Sequence, residues 1–492
     1  MSDRTRWQVF AVCVGVAALT ILDLSKVNVG LPSIEESLGA GPSELQIIVA
    51  GYALAFGLAL VPAGRLGDIH SRKVMFVIGL TLFTVSSILC ALAPNITFLL
   101  IARVLQGVAA GIQMPQVLGL LQQMFQGAER GRAFGVFGAT IGISTALGPT
   151  LGGLLIAIGG PTDGWRLLFW MNVPLGVIAL FFAIRLLPKH VRSADARTEL
   201  DLVGIVLLGI ATLSLMLPFV LTTGGPDDDP RRWAFLALFV VALAAFVWWE
   251  RRYQRNGKSP VVRFSLFRDS SYRNGLLVAT AYFGALPALF LLSTLYLQQG
   301  LGLEPVYAGM VSITFALASA VTSWLGGRLV EKYGRLLVVA GLVSVIIGFA
   351  LVGVAAVYLP PELSPWYMAA AMTVAGAGGG FVISPNQTLT LARVPVAEGG
   401  VAGSMAQVGQ RVGTAVGVAA ASSTFFATLY RETGQLAAIE VYHDGFRNGL
   451  LVSLGLVVVA LVFALLDLRK RRLESAETQA TPGAPDSDPA AA

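Results

Sequence analysis

The chain has 492 residues, of which 55% are hydrophobic and only 13% charged, with a mean hydropathy of +0.74; a soluble chain carries about 25% charged residues. That balance excludes an ordinary soluble globule and points to a polytopic membrane protein. Cys13 and Cys90 lie in apolar runs and the three histidines in polar connectors, so no disulfide framework or metal site is expected. The net charge of +6 sits in short loops and is not a nucleic-acid signal.

A bilayer core of about 30 Å needs roughly 20 apolar residues per helix. That rule gives fourteen predicted spans: 9–31, 44–64, 74–93, 97–121, 133–158, 166–187, 200–222, 233–249, 273–299, 306–330, 336–358, 365–391, 400–428 and 446–468. Arg4 and Arg6 precede a run too long for a signal-peptide core, so an uncleaved first helix is expected.

In the first span, "LDLSKVNVGLP" (22–32) places Asp23 and Lys26 one turn apart, with Asn28 following. Asp23 lies roughly 12 Å from the outer edge at about 1.5 Å per residue. Burial favours its neutral acid, and a nearby cation favours its carboxylate. Two outcomes stay open. Lys26 swings away and leaves Asp23 to take a proton, or the pair is structural and Arg103 competes for Asp23.

The loop after the second span reads "GRLGDIHSRK" (64–73). Ser71 suits a cap on the third helix, with Arg72 and Lys73 facing water and lipid phosphates. Asp68 is placed to pair with a basic side chain or a helix N-terminus of the other half. In the fourth span Arg103, Gln106 and Gln113 share one face, with Met114 beside them. A charge in mid-membrane is a functional candidate, and this face is expected to line a cavity. In the fifth span "STALGPTLGG" (144–153) carries Gly148, Pro149, Gly152 and Gly153. Small residues let helix backbones approach closely, and a proline frees a carbonyl where the helix can bend.

The seventh and eighth spans form an inserted pair. The connector near 250–272 is basic and partly amphipathic, and is expected to lie along the membrane surface. Further on, "GRLVEKYGR" (327–335) includes Gly327, Glu331 and Arg335. "SPNQT" (384–388) adds Asn386 and Gln387, and the thirteenth span adds Gln407, Arg411 and the glycine face of "GQRVGTAVG" (409–417). These are the second half's expected share of the cavity wall. Residues 473–492 read as a disordered tail.

Lysine and arginine divide unevenly between the two sides. The side holding both termini carries 26, the other five, and three lie inside spans; this places the termini in the cytoplasm. Gly64, Asp68, Ser71 and Arg72 recur 263 positions later as Gly327, Glu331, Gly334 and Arg335, and "AERGRAFG" (128–135) is echoed by "AEGGVAGS" (397–404). The chain is thus read as two related halves: a six-helix bundle over 1–190, two inserted helices over 191–260, a second bundle over 261–472 and the tail.

These segments carry a resemblance to the major facilitator superfamily, and within it to the fourteen-helix drug:proton antiporter branch. "GRLGDIHSRK" is similar to the loop motif G-x-L-[AG]-D-x-x-G-R-[KR], and "RVLQG" (103–107) to the fourth-helix motif. "STALGPTLGG" is similar to the antiporter motif G-x-x-x-G-P-x-x-G-G, and "LDLSKVNVGLP" to D-x-T-x-V-N-V-A-L-P. Ser71 and Ser144 stand where the motifs have glycine, Ser25 where they have threonine, and Lys26 where they have an apolar residue.

The resemblance implies an all-α membrane fold of two six-helix bundles plus two helices. It also implies a cytoplasmic gate of Gly64, Asp68, Arg72, Lys73, Gly327, Glu331 and Arg335. The implied function is a proton-coupled exporter of drugs or other small amphiphiles, a monomer without cofactors in a bacterial cell membrane, meeting only substrate, protons and lipid. No G-x-x-x-x-G-K-[ST] run occurs, so an ion gradient is the expected driving force. Lys26, Arg103 and Arg411 against Asp23 make the expected cavity net positive, favouring anionic, zwitterionic or neutral substrates over dications. An exporter of an endogenous metabolite, lipid or self-made antibiotic is the near alternative, and a non-transporting receptor the distant one.

Overall fold

The sequence folds into long helices because apolar residues run on for whole spans and each backbone N–H and C=O must be paired internally in lipid. The computed structural model describes residues 3–160, 162–188, 201–222, 229–258, 260–434 and 437–480. The first half holds α1 (Asp3–Leu38), α2 (Pro42–Ile69), α3 (Arg72–Ala91), α4 (Ile96–Met124), α5 (Gly127–Gly159) and α6 (Trp165–Leu186). Next come α7 (Leu202–Val220) and α8 (Ala234–Arg255). The second half holds α9 (Ser270–Leu295), α10 (Pro305–Tyr333), α11 (Arg335–Tyr358), α12 (Ser364–Thr390), α13 (Gly399–Glu432) and α14 (Ala438–Ala480). Fourteen helices are long and apolar enough to cross a bilayer, as the spans predict.

Helix starts follow the capping residues. Ser71 Oγ accepts from Val74 N at 3.4 Å, Asn95 Oδ1 from Phe98 N at 2.9 Å, and Asp269 Oδ1 from Ser271 N at 2.7 Å. Several helices run past the apolar windows that announced them. α1 begins at Asp3 and ends at Leu38 because its polar ends continue the helix outside the apolar stretch.

The halves pack alike. α3 lies on α4 and α1 on α5 in the first, α11 on α12 and α9 on α13 in the second. They meet through α5 on α10 and α2 on α13. α7 and α8 pair with each other, and α7 rests on α2 and α13.

Two expectations need correction. The connector after α8 does not simply lie on the membrane surface. Val261 and Val262 are buried with Val61, Phe246 and Val401, because apolar side chains there find a groove beside α2 and α13. The final helix continues to Ala480, into the segment expected to be disordered, since its Ala- and Glu-rich stretch sustains helix. Residues 481–492 and the half-boundary near 190 lie outside the described residues.

Candidate functional site

Asp23 is wholly buried, and each of its oxygens is held. Oδ2 accepts from Arg103 Nη1 at 2.9 Å. Oδ1 accepts from Asn172 Nδ2 at 2.6 Å and lies 3.5 Å from Lys26 Nζ. Lys26 Nζ donates to Asn172 Oδ1 at 2.5 Å. Arg103 Nη1 also donates to Gln106 Oε1 at 2.6 Å, and Gln106 Nε2 donates to Ser87 Oγ at 2.8 Å. The network closes where Asn172 Nδ2 reaches Ser87 Oγ at 3.2 Å. Both cations therefore converge on Asp23 in one shared cluster. The Arg103 guanidinium stacks over Tyr52 at 4.2 Å, and its Nη2 and the Tyr52 hydroxyl find no hydrogen-bond partner among the described residues.

Local backbone chemistry builds this cluster. Asp23 and Lys26 sit three apart on α1, Arg103 and Gln106 three apart on α4, so each pair shares a face. α6 is interrupted at Met171, where Pro174 withholds the N–H that would bond back to Trp170, and Asn172 opens the second segment. A Cβ on Gly148 would overlap Ser25 Oγ, and one on Gly152 would press on the Lys26 carbonyl, so these glycines bring α5 onto α1 beside the cluster. Gly107 does the same for α4 against the Tyr52 backbone.

The remaining expected cavity residues scatter. Gln113 donates to Thr20 Oγ1 at 2.7 Å, and Met114 is in the first-half core. Lys26, Arg103, Gln106, Gln113 and Met114 thus lie inside the first bundle rather than on an open wall: most of their polar atoms bond to α1, α2, α3 and α6, while Arg103 Nη2 and Gln113 Oε1 find no partner among the described residues. Asn28 is exposed on α1. Asn386 is buried in the second half, donating to Gly275 O at 2.8 Å and accepting from Arg335. Gln387 and Gln407 do line a void between the halves, with Phe134, Phe137 and Gln410; at about 20 Å³ it is the size of a single water site. Arg411 is half-buried, its guanidinium over Phe56 at 4.6 Å and its Nε without a hydrogen-bond partner.

The expected gate is one-sided. Asp68 accepts at the start of α13 from Gly400 N at 3.2 Å and Val401 N at 3.0 Å, the helix N-terminus of the other half. Arg72 is buried, not facing lipid phosphates, because its fork is fully used. It donates to Asp68 at 2.9 Å, to Gly119 O at 2.7 Å and across the halves to Val396 O at 2.6 Å. Gln122 crosses too, donating to Val394 O at 3.0 Å. Lys73 instead donates to Ile184 O and Leu187 O at the end of α6. Gly64 lies against Ser404 and Gly400, and Gly327 against Gly131 and Gly135. The second-half loop departs from its twin. Glu331 is exposed, and Arg335 turns inward to Asp467 Oδ2 at 2.5 Å.

In the antiporter segment Gly148 and Gly152 face α1, whereas nothing approaches Gly153. The crossing between halves uses an earlier run, Gly131, Gly135, Gly138 and Gly142, packed on Gly327, Ser323 and Ser319 of α10. Its spacing of four, three and four marks one helix face in "GRAFGVFGATIG", a signal the motif search passed over. Asn172 and Ser87 were also missed; an Asn before "VP" and a paired serine in apolar helices were the available cues.

A family model described as Major Facilitator Superfamily matches residues 13–418. The chain is 35% identical over 486 residues to the probable actinorhodin transporter of Streptomyces coelicolor, covering 98% of this chain and 82% of that one. It is 31% identical over 416 residues to the multidrug resistance protein Stp of Mycobacterium tuberculosis, covering 84% and 74%. The solved structure of the proton:xylose symporter XylE superposes with a TM-score of 0.64 at 16% identity, over 94% of this chain and 96% of that one. With fourteen apolar helices among the described residues packed as two like halves, crossed by α5–α10 and α2–α13 contacts, the chain belongs to the major facilitator superfamily of membrane transporters, among relatives that include a probable antibiotic transporter and a multidrug resistance protein.

Proposed function

We propose that the protein is a proton-coupled exporter of drugs or other small amphiphilic molecules, working as a monomer by alternating access in a bacterial cell membrane with both termini cytoplasmic. The observation that carries this reading is the buried cluster of Asp23, Lys26, Arg103 and Asn172. A charge in the membrane is costly and marks an ion pathway by default. The contacts of Asp68, Arg72 and Gln122 all lie on the termini side, which supports a state closed toward the cytoplasm. The two bundles are the moving bodies, with α7 resting on α2 and α13 beside the gate.

The substrate is anionic, zwitterionic or neutral. Asp23 offsets one of the two cations Lys26 and Arg103, and Arg411 lies over Phe56 with no carboxylate partner among the described residues. A guanidinium so placed repels a dication and attracts an anion or a polar aromatic. Export of a self-made antibiotic is a second reading, favoured by the likeness to the probable actinorhodin transporter.

Proteoliposomes with an imposed pH gradient test both points. Gradient-driven uptake of fluorescent anionic or neutral amphiphiles, lost in Asp23→Asn, is the expected result. Transport indifferent to the gradient overturns proton coupling, and strong export of a dication overturns the substrate class.

A further inference from the structure

We propose that the proton of the buried cluster is gained and lost by Lys26, while Asp23 stays a carboxylate throughout. This rests on the proton-coupled reading above and names the group that does the coupling.

The argument is one of charge balance in a sealed space. The cluster holds one carboxylate and two cations, all buried: Asp23, Lys26 and Arg103. Arg103 does not release its proton in a protein. Two titrations are left. If Asp23 takes a proton, two buried cations face each other without an anion. If Lys26 releases one, Asp23 and Arg103 remain as a balanced pair at 2.9 Å and the cluster is neutral. Only the second keeps every state at one net charge or none. Unpaired buried charge is the costly condition.

The hydrogen bonds agree with this assignment. Asp23 has no oxygen left idle: Arg103 holds Oδ2 and Asn172 holds Oδ1. Protonating it weakens the charge-assisted bond from Arg103. Lys26 is held by a neutral acceptor, Asn172 Oδ1, at 2.5 Å, and stands off from Asp23 at 3.5 Å. A neutral amine still donates an N–H to that amide oxygen, so deprotonation gives up only the longer 3.5 Å ion pair with Asp23. The step is ammonium to amine, with the proton passing to water on the side to which the carrier is open and returning from water on the other side, and with no other covalent bond changed.

No neighbouring group competes. α2 contributes the Tyr52 phenol, α3 Ser87 and the Cys90 thiol, and α4 Gln106 with Arg103. α6 contributes Asn172, and α5 approaches with Gly148 and Gly152. Arg411 lies beyond the Phe56 ring. Asp23 is the one carboxylate facing the cluster among the described residues. The Lys26 backbone also bears on Gly152 of α5, the helix that crosses to the second half through Gly131 and Gly135. The titrating residue thus sits on the packing seam between α1 and the helix that spans the halves.

The test uses the whole protein in proteoliposomes, with substrate counterflow as the readout of a folded carrier and pH-gradient-driven accumulation as the readout of coupling. Lys26→Met and Lys26→Arg differ in charge, but neither exchanges a proton. Both are expected to lower accumulation at least about tenfold more than they lower counterflow, with the pH dependence of counterflow flattened. Accumulation at the wild-type level in Lys26→Met overturns the proposal. If wild type itself ignores the gradient, the underlying reading falls instead. Should the lysine variants not fold, infrared difference spectra of wild type across the pH range decide. No protonated-carboxyl stretch assignable to Asp23 is expected, and one that vanishes in Asp23→Asn overturns the assignment.

Discussion

Arg103 donates to the Asp23 carboxylate and to Gln106 from one nitrogen, and its ring contact with Tyr52 fixes the guanidinium plane. Removing it leaves a buried carboxylate with only Lys26 and Asn172. Arg103→Ala should lower stability by about 3–5 kcal/mol, read as a fall in the thermal unfolding midpoint in detergent. Gln113 makes one neutral side-chain bond to Thr20, so Gln113→Ala should cost about 1 kcal/mol by the same measurement. The charged members of the cluster were legible in the sequence because charges are rare in apolar spans. Their partner Asn172 was not. Its meaning depends on α6 lying against α1 and α3, and a single amide beside a proline is common in membrane helices. The inference that an Arg–Gln face must line a cavity failed for a related reason: polar groups in a membrane are satisfied equally well by each other.

At the scale of helices, small residues decide who touches whom. Gly148 sits on Ser25 and Gly153 faces open space, although both belong to one motif. Gly148→Val should disrupt the α1–α5 contact at a cost of about 1–3 kcal/mol and abolish gradient-driven transport, while Gly153→Ala leaves transport unchanged; flux in proteoliposomes distinguishes them. Asp68 acts on the N-terminus of α13 through two backbone N–H groups. Asp68→Asn should weaken that contact by about 1–2 kcal/mol. The buried Ser404, replaced by cysteine, should then react faster with a thiol reagent added on the termini side. The loop motif announced this pairing. It could not announce that the second copy would turn inward, because Arg335 finds Asp467 on α14, a residue with no counterpart in the repeat comparison.

Across the whole molecule, the count of helices, their pairing into like halves and the inserted α7–α8 pair were legible because each rests on length, apolarity and repetition. Hidden from the sequence was the division of labour between the halves. The first holds the buried charge cluster and reaches across with Asp68, Arg72 and Gln122; the second offers helix ends and carbonyls to receive them. The proposed proton site and the termini-side contacts therefore lie in the same bundle. The most direct check is to drive the carrier with a substrate gradient and record proton flux with a pH-sensitive dye inside the vesicles. Wild type should move protons opposite to substrate. Asp23→Asn, which leaves Arg103 as the cluster's fixed cation and holds Lys26 neutral, should exchange substrate with no proton movement. Proton flux in Asp23→Asn equal to wild type, or none in wild type, would contradict a coupling centre at Asp23, Lys26 and Arg103.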